Sequence, residues 1–350
     1  MYPVAQKRDQ GKSAVLWLRP DQLPLAHELC ELCGLVVEQV GSPARGRSGE
    51  LAAALNADAI DDLRAALAET SAKLVLLLDP GDFGAEPNAT DDRALAAAKS
   101  RGVKVASLEP IPATALALHT PGVGDPAEDV AIPDPVRFLP HLRQSKRHRE
   151  AAEIIEQFGY VRTLTIEQWN TPAEGSLGSL LFSALDLAIG ILGVPETVDA
   201  QFVSPAHGQG VHTVAGDSLR ALSGDLTALL RFSDGRGATI VASDHAGRWN
   251  RVVTMLGPSG RLRIYDDGFE LVNAAGEKVD ESRQRRTVKS PAHSVAAIAD
   301  AIDRLLDTHA AVPPPLDHLG ILTTAQAALL STRTGQPESP DTIRRMVQRG

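Results

Sequence analysis

Two cysteines are the first residues whose types and spacing suggest chemistry. Cys30 and Cys33 are the only cysteines in the 350-residue chain, and the spacing C-x-x-C suits a thiol redox pair or half of a zinc site. A redox C-x-x-C usually opens a helix, whose dipole lowers the thiol pKa, whereas this pair precedes Gly34 near a predicted helix end. A zinc site also needs two more ligands, and no second C-x-x-C or H-x-x-x-H occurs. The pattern favours two small buried side chains, and no metal site is expected.

Histidines are the next candidates, because a general acid or base should titrate near neutral pH. His207 and His212 lie in a glycine-rich stretch that predicts a loop rather than a set of ligands. His141 and His148 lie in a basic segment and are expected to be exposed. His245, at the end of a predicted strand, could line the face where two domains meet and is the remaining candidate for a binding site.

The first 120 residues alternate strand-like and helix-like segments. Short apolar runs predict strands at 14–18, 35–40, 74–78 and 103–108. Helical periodicity predicts helices at 23–33, 59–68 and 91–100. Because strands and helices alternate, we expect an α/β fold with a Rossmann-like, doubly wound parallel sheet.

After a connector at 121–135 that is rich in Pro, Gly and Asp, the pattern changes. Strands are predicted at 163–169, 197–204, 225–232, 238–245, 251–256 and 261–266. Helices are predicted at 140–157, 177–192, 295–308 and 325–332, and a polar tail follows. Strands joined by tight turns pair antiparallel, so we expect an α+β domain with a large open, mainly antiparallel sheet. The predicted domains are 1–122 and 123–350, with a C-terminal tail that could pack back on the first domain.

Composition excludes several classes of protein. Hydrophobic residues make up 43% and charged residues 23%, as in ordinary globular proteins, and a net charge of −9 gives no support for a nucleic-acid partner. No stretch reaches the roughly 20 apolar residues of a membrane helix. The N-terminal segment lacks the apolar core of a signal peptide, so the chain is expected to be cytoplasmic.

Several segments, in the right order, resemble the Gfo/Idh/MocA family of NAD(P)-dependent sugar and polyol oxidoreductases. Leu74-Val-Leu-Leu-Leu-Asp-Pro80 resembles the family's fourth strand, and Gly102-Val-Lys-Val-Ala-Ser-Leu-Glu-Pro110 its segment G-K-H-V followed by E-K-P. Residues 175–193 resemble the helix that carries G-x-x-x-D-x-x-x-H-x-x-D. Further similar segments are the hairpin at 256–264 and the C-terminal pieces 297–305, 313–315 and 325–335. The resemblance covers nearly the whole chain and implies an open sheet that commonly packs against another subunit.

The resemblance implies a cofactor turn whose residues are replaced here. A dinucleotide needs a glycine-rich turn that brings its pyrophosphate to backbone N–H groups at a helix N-terminus. Leu18-Arg-Pro-Asp-Gln-Leu-Pro24 has no glycine, and its two prolines lack N–H donors. Ser42 stands where an acidic residue should bind the ribose, although Arg45 and Arg47 could meet a 2′-phosphate. Dinucleotide binding in the usual mode is therefore not expected. If a dinucleotide binds, its expected contacts are Arg19, Ser42 and Pro80.

The acid and base residues that the resemblance implies are also replaced. The lysine of E-K-P falls at Glu109, and the aspartate and histidine fall at Ser179 and Ser183. Asp186 keeps the family's residue and is expected to cap or pair structurally. Glu109 could be a solvated carboxylate, beside a proline whose peptide bond would be cis if it follows the family, or a new general base. Both serines are expected to be helix-packing residues and not nucleophiles, since neither lies in a G-x-S-x-G motif. If the chain is an enzyme, its catalytic residues would be Glu109, Asp186 and His245.

The sequence therefore predicts a catalytically inactive protein with an oxidoreductase fold, acting as a binding, regulatory or assembly subunit and without a cofactor. The expected partner is a second copy of the chain or an active paralogue, bound through the open sheet, and the expected ligand is a small sugar-like molecule. The alternative is an NAD(P)-dependent sugar or polyol oxidoreductase with an altered cofactor site and an altered acid/base set.

Overall fold

The computed structural model describes residues 12–86, 88–118, 136–205, 216–288, 290–311 and 313–349. The predicted connector, the predicted domain boundary at residue 122, and His207 and His212 lie outside these residues. The described part of the chain builds two β-sheets with helices packed against them. No helix within it is long and apolar enough to cross a membrane.

The first sheet is parallel throughout and has the order β3-β2-β1-β4-β5-β6. Its strands are β1 Lys12–Trp17, β2 Leu35–Gly41, β3 Asp58–Ile60, β4 Leu74–Leu77, β5 Lys104–Ser107 and β6 Arg137–Phe138. All four residues of β4 are buried, as expected for a central strand covered on both faces. The prediction of a Rossmann-like, doubly wound sheet is confirmed.

Four helices connect the strands of this sheet: α1 Leu23–Cys33, α2 Ser48–Leu55, α3 Leu63–Glu69 and α4 Ala89–Ser100. α1 has its predicted bounds and ends at Gly34, whose φ of +64° favours glycine. The helix predicted at 59–68 starts later, at Leu63. Asp62 caps it by accepting hydrogen bonds from the backbone N–H groups of Arg64 and Ala65, and the residues before it form β3.

The second sheet has the order β14-β13-β12-β11-β7-β10-β9-β8, and β7 with β10 is its parallel pair. Its strands are β7 Thr163–Trp169, β8 Thr197–Val203, β9 Asp225–Arg231, β10 Gly237–Ser243, β11 Asn250–Gly257, β12 Gly260–Tyr265, β13 Gly268–Val272 and β14 Lys278–Arg283. The large open, mainly antiparallel sheet is confirmed. β14 was not predicted because its sequence is polar and it lies exposed at the sheet edge.

The remaining helices are α5 Lys146–Glu150, α6 Ala152–Phe158, α7 Leu177–Leu192, α8 His293–Leu306, α9 His318–Thr334 and α10 Pro340–Arg349. α7 and α9 cover the inner face of the second sheet, and α7 is buried along nearly its whole length. α8 packs instead on the first sheet, where Val295, Ile298 and Ile302 join the core that contains α1.

Three further details differ from the prediction. The helix expected at 140–157 is divided into a 3-10 turn, α5 and α6, because Ser145 caps a new helix by accepting from the backbone N–H of His148. The polar tail forms α10, after Glu338 pairs with Val198 through backbone hydrogen bonds. The cis peptide bonds of the described residues precede Pro112 and Pro140, and not Pro110.

Candidate functional site

Several of the residues that the resemblance singles out lie where the parallel sheet contacts the segment that begins α7. Arg19 follows β1, Pro80 follows β4 and Glu109 follows β5, so all three lie at the carboxyl edge of the parallel sheet. Ligands of open α/β sheets usually bind at this edge. Opposite it lies the N-terminus of α7, which begins after Ser176. We call the contacts between these two parts the domain seam.

The turn after β1 is filled by one of its own side chains. The chain forms a 3-10 turn over Pro20–Gln22, and Gln22 has no exposed surface. Its Oε1 accepts a hydrogen bond from the Arg19 backbone N–H at 3.0 Å. Its Nε2 donates to the carbonyl oxygen of Leu78 at 3.1 Å and to that of Ala173, across the seam, at 3.3 Å. The glutamine therefore ties the turn to the second domain.

Arg19 also connects the turn after β1 to the segment before α7. Its Nη1 donates to Asp79 Oδ2 at 2.8 Å, its Nε to Asp21 Oδ1 at 3.0 Å, and its Nη2 to the carbonyl oxygen of Pro172 at 2.9 Å. Burial opposes the charged form, but the hydrogen bonds to the two carboxylates outweigh it and raise the pKa of Arg19. All three nitrogens of the guanidinium therefore donate hydrogen bonds to groups of the chain itself.

The loops that follow β2 and β4 contact each other across the turn after β1. Ser42 is buried, and its Oγ accepts from the Ala44 backbone N–H at 3.2 Å. A Cβ atom on Gly81, whose φ is +62°, would come within 2.7 Å of the Cβ of Pro43. Because β1 lies between β2 and β4, this contact closes over the turn. Pro80 is buried beneath it.

These contacts bear on the dinucleotide that the resemblance implies. A pyrophosphate needs free N–H groups at the start of the first helix and space beside them. α1 has Gln22 as its N-cap residue and Pro24 in its first turn, and the Gln22 side chain fills the adjacent space. The residues of this turn therefore do not fit a pyrophosphate in the way the family holds one.

Glu109, at the position of the family's lysine, is buried and bonded across the seam. Its Oε1 accepts from the backbone N–H of Ser176 at 2.8 Å, and its Oε2 accepts from the Ser176 hydroxyl at 2.5 Å. Burial raises the pKa of Glu109 to about 7, although the hydrogen bonds from Ser176 oppose the shift. The interpretation of Glu109 as a solvated carboxylate is therefore wrong, because the seam covers it.

A second buried carboxylate, Asp244, binds the same helix start. Its Oδ2 accepts from the Leu177 backbone N–H at 3.2 Å, and its Oδ1 accepts from the Gly224 N–H at 2.7 Å. His245 Nδ1 lies 2.7 Å from the same Oδ1, and its side chain is 38% exposed. The first N–H groups of a helix lack partners within the helix and attract negative charge. The chain itself supplies that charge here, through Glu109 and Asp244.

The two serines at the family's acid/base positions are engaged in local hydrogen bonds. Ser179 Oγ donates to the carbonyl oxygen of Ser176 at 2.8 Å. Ser183 Oγ accepts from the backbone N–H of Leu142 at 3.0 Å. Both side chains are buried. Within the described residues neither serine contacts a histidine that could activate it.

Asp186, which keeps the family's residue, forms a buried ion pair. It accepts two hydrogen bonds from Arg143, both at 3.0 Å, and Gly190 leaves room for that side chain beside α7. His141 Nε2 lies 2.9 Å from Asp186 Oδ2, without the alignment of a hydrogen bond. His141 is buried and His148 half-buried, so their predicted exposure is wrong. For His141 the cause is its packing against the carboxylate of α7.

Arg220 is a seam residue that the sequence analysis missed. It projects from a 3-10 turn of the second domain and donates to the carbonyl oxygens of Phe83 at 2.6 Å and Pro110 at 3.0 Å. Burial lowers its pKa to about 10. The turn can approach because α7 has Gly178, where a Cβ would lie 1.9 Å from the carbonyl oxygen of Leu219. The sequence signal that could have indicated this approach is Gly178, a glycine inside an apolar helix.

The cysteine pair is expected to be unreactive. Cys33 is buried and Cys30 half-buried, and burial raises their pKa values to about 12 and about 11. Because the thiolate is the reactive form, a disulfide reagent such as DTNB should modify the native thiols about 100-fold more slowly at pH 8 than those of the urea-unfolded chain. Similar rates in both states would contradict this. No cluster of three metal-ligating side chains occurs in the described part of the chain.

Comparison with known proteins shows similarity at the level of structure. No protein-family model and no curated protein matches the sequence. An oxidoreductase from Agrobacterium radiobacter, solved with NAD⁺, L-tartaric acid and magnesium, is 13% identical over 95% of this chain and 99% of its own, with a TM-score of 0.63. A myo-inositol dehydrogenase from Corynebacterium glutamicum is 15% identical over 94% and 98%, with a TM-score of 0.59. Levoglucosan dehydrogenase, solved with NADH and L-sorbose, is 12% identical over 93% and 98%, with a TM-score of 0.61.

At these identities the similarity concerns the fold and not the activity. It extends over both sheets and nearly the whole length of each chain. The chain has the fold of the Gfo/Idh/MocA oxidoreductases, with a parallel Rossmann-like sheet and a mostly antiparallel second sheet.

Proposed function

We propose that this protein is a non-catalytic member of the oxidoreductase fold that acts as a binding, regulatory or assembly subunit. One observation carries the proposal: side chains of the chain itself fill the seam where the fold's cofactor and acid/base residues would act. Gln22 and Arg19 bond to the segment before α7, and Glu109 bonds to Ser176. Ser179 and Ser183 replace the acid/base pair that the resemblance implies.

The energetics of these contacts support weak or absent dinucleotide binding. A pyrophosphate at this turn would displace Gln22 and leave the carbonyl oxygens of Leu78 and Ala173 without their donor. Each buried group left unsatisfied costs about 1–3 kcal/mol. Asp21 and Asp79 would also hold the guanidinium of Arg19, which is the nearby cation that could otherwise bind a phosphate. The favourable contacts of a dinucleotide would first have to offset these unfavourable contributions.

The open sheet is the surface that we propose for a partner. Its outer face carries Leu229 on β9 and Leu256 on β11, which are 38% and 40% exposed, and on β12 it carries Arg263 stacked on Tyr265. Aromatic and arginine side chains are enriched at protein interfaces. We propose a second copy of the chain or an active relative as the partner, and sedimentation at increasing concentration tests the first.

The proposal predicts no binding of NAD⁺, NADH, NADP⁺ or NADPH at millimolar concentration. A ligand present at 100 times its Kd would stabilise the protein by about 2.7 kcal/mol, which thermal unfolding detects readily. Titration calorimetry provides a second measurement, and the Agrobacterium radiobacter oxidoreductase, solved with NAD⁺, serves as the positive control. A saturable thermal shift with any of the four dinucleotides would overturn the proposal.

One observation favours the alternative, an NAD(P)-dependent sugar or polyol oxidoreductase. Burial raises the pKa of Glu109 to about 7, a value that suits a general base. In that case the turn after β1 would have to open to admit the cofactor. Dinucleotide binding together with sugar oxidation that Glu109→Ala abolishes would support the alternative. Unchanged turnover in that variant would remove Glu109 from the mechanism.

A further inference from the structure

A cavity of about 300 Å³ lies away from the domain seam, at the β6 edge of the parallel sheet. One wall consists of the first residues of β5 and β6, Lys104 and Arg137, together with Leu139. The other wall is the C-terminal half of α8 and the chain that follows it. Arg19, Ser42, Glu109 and Asp186 do not line the cavity, although its lining residue His141 lies 2.9 Å from Asp186.

Three cations of this cavity have no carboxylate partner. Lys104, Arg137 and Arg304 form no ion pair with any described residue, and Arg304 has one hydrogen bond, from Nη1 to the carbonyl oxygen of Gln144 at 3.3 Å. Elsewhere in the chain most buried or half-buried arginines are paired, as Arg143 is with Asp186. Unpaired cations that converge on one cavity indicate a site for an anion.

The two acids of the cavity, Asp300 and Asp307, offset its three cations only in part. Asp300 accepts two hydrogen bonds from Arg149, at 3.1 and 3.2 Å. Asp307 accepts from the backbone N–H of His309 at 2.9 Å. Burial lowers the pKa of Arg304, and the positive charges of Arg149 and Arg137 lower it further, although the negative charge of Asp300 opposes the shift. A bound anion would relieve this repulsion between like charges.

His141 adds a polar atom without a partner. The residue lines the cavity and is 4% exposed, and its Nδ1 has no hydrogen-bond partner among the described residues. Buried polar atoms of proteins nearly always have a partner. His141 therefore places a polar ring in the wall of the cavity, and its other nitrogen, Nε2, lies 2.9 Å from Asp186 Oδ2.

Apart from Gln144, Ser145 and Thr308, the rest of the lining is apolar. Leu139 belongs to the core of the sheet, and Ala301, Leu305 and Leu306 pack against that core from α8. A ligand that fills the cavity must therefore present an apolar body to α8 and a negative group to the cations. A volume of about 300 Å³ lies at the lower end of the range for small-molecule sites.

We propose that this cavity binds a small organic anion in which a carboxylate or phosphate group is joined to an apolar body. Arg137 and Arg304 bind the anionic group, with Lys104 at the rim. Leu139, Ala301 and Leu305 contact the apolar body. The protein thereby has a ligand site that is independent of the position of the family's cofactor.

The test uses the full chain and the fluorescent apolar anion 1-anilinonaphthalene-8-sulfonate as the probe. One probe molecule should bind per chain, and the variant Arg137→Gln/Arg304→Gln should bind it about tenfold more weakly, a loss of roughly 1.4 kcal/mol. The control variant Arg93→Gln/Lys99→Gln removes the same charge from exposed positions of α4 and should bind as the wild type does. Ala301→Leu fills the cavity without a change of charge and should also weaken binding.

Competition identifies the anionic group. Displacement of the probe by octanoate indicates a carboxylate ligand, and displacement by octyl phosphate indicates a phosphate ligand. The proposal is overturned if neither compound displaces the probe. Equal binding by the cavity and control variants, with folding verified by circular dichroism, would likewise overturn it. If the double variant fails to fold, Ala301→Leu decides: unchanged probe affinity in this folded variant would exclude the cavity as the site.

Discussion

Replacement of Asp186 with alanine is expected to lower the free energy of unfolding by about 3 kcal/mol, because it breaks a buried ion pair by removing one partner. Asp186 is 3% exposed and accepts two hydrogen bonds from Arg143. The substitution would leave that guanidinium, and the buried ring of His141, without their nearest negative charge. Urea unfolding followed by circular dichroism measures the loss, as a lower midpoint at an unchanged slope.

A matched control is available on the surface. Asp341 pairs with Arg345 on α10, and the two side chains are 68% and 60% exposed. Asp341→Ala should cost no more than about 0.5 kcal/mol, because exposed ion pairs contribute little. Asp186→Asn keeps the volume and one acceptor oxygen, so its cost should lie between the two. If Asp186→Ala costs no more than the surface variant, Asp186 has no structural role and becomes a candidate for catalysis again.

The elements that could be predicted from the sequence are those with strong internal patterns. α1, α7 and β7 have the predicted bounds because an apolar stripe, an apolar run or strict alternation defines each along its whole length. β3 and α2 were missed because each is short and presents few buried residues. β14 lies at the sheet edge, where an exposed strand needs no apolar alternation, and β13 beside it has only five residues.

The candidate site likewise has features that the sequence reveals and contacts that it does not. The replaced glycine turn and the residue at each family position follow from local motifs, so the sequence alone reveals them. The partners do not, because they lie far along the chain: Glu109 and Ser176 are 67 positions apart, and Arg19 and Pro172 are 153. For this reason the sequence alone could not decide whether Glu109 is a solvated carboxylate or a base. It also gave no reason to select Arg220.

Glu109→Gln is expected to change how stability depends on pH. The folded-state pKa of Glu109 is about 7, raised by burial from an ordinary value of 4.5, so the folded chain binds this proton more tightly than the unfolded chain. The resulting stabilisation is complete below about pH 4.5 and is lost as the pH rises through 7. A shift of this size corresponds to roughly 3 kcal/mol. Glutamine has the same shape but does not titrate.

Denaturation at a series of pH values from 5 to 8 tests this expectation. The stability of the wild type relative to Glu109→Gln should fall as the pH rises, because the ionised carboxylate is buried near Asp79 with Arg220 as its nearest compensating charge. Glu281→Gln is a control of opposite sign, since a hydrogen bond and charge interaction with Lys278 lower the pKa of that exposed residue. Parallel pH profiles for wild type and Glu109→Gln would show that Glu109 ionises as freely in the seam as in the unfolded chain. If the stability of the wild type relative to Glu109→Gln falls with pH, a substantial fraction of Glu109 is protonated at neutral pH. The strength of the contact between Glu109 and Ser176 then depends on a single proton.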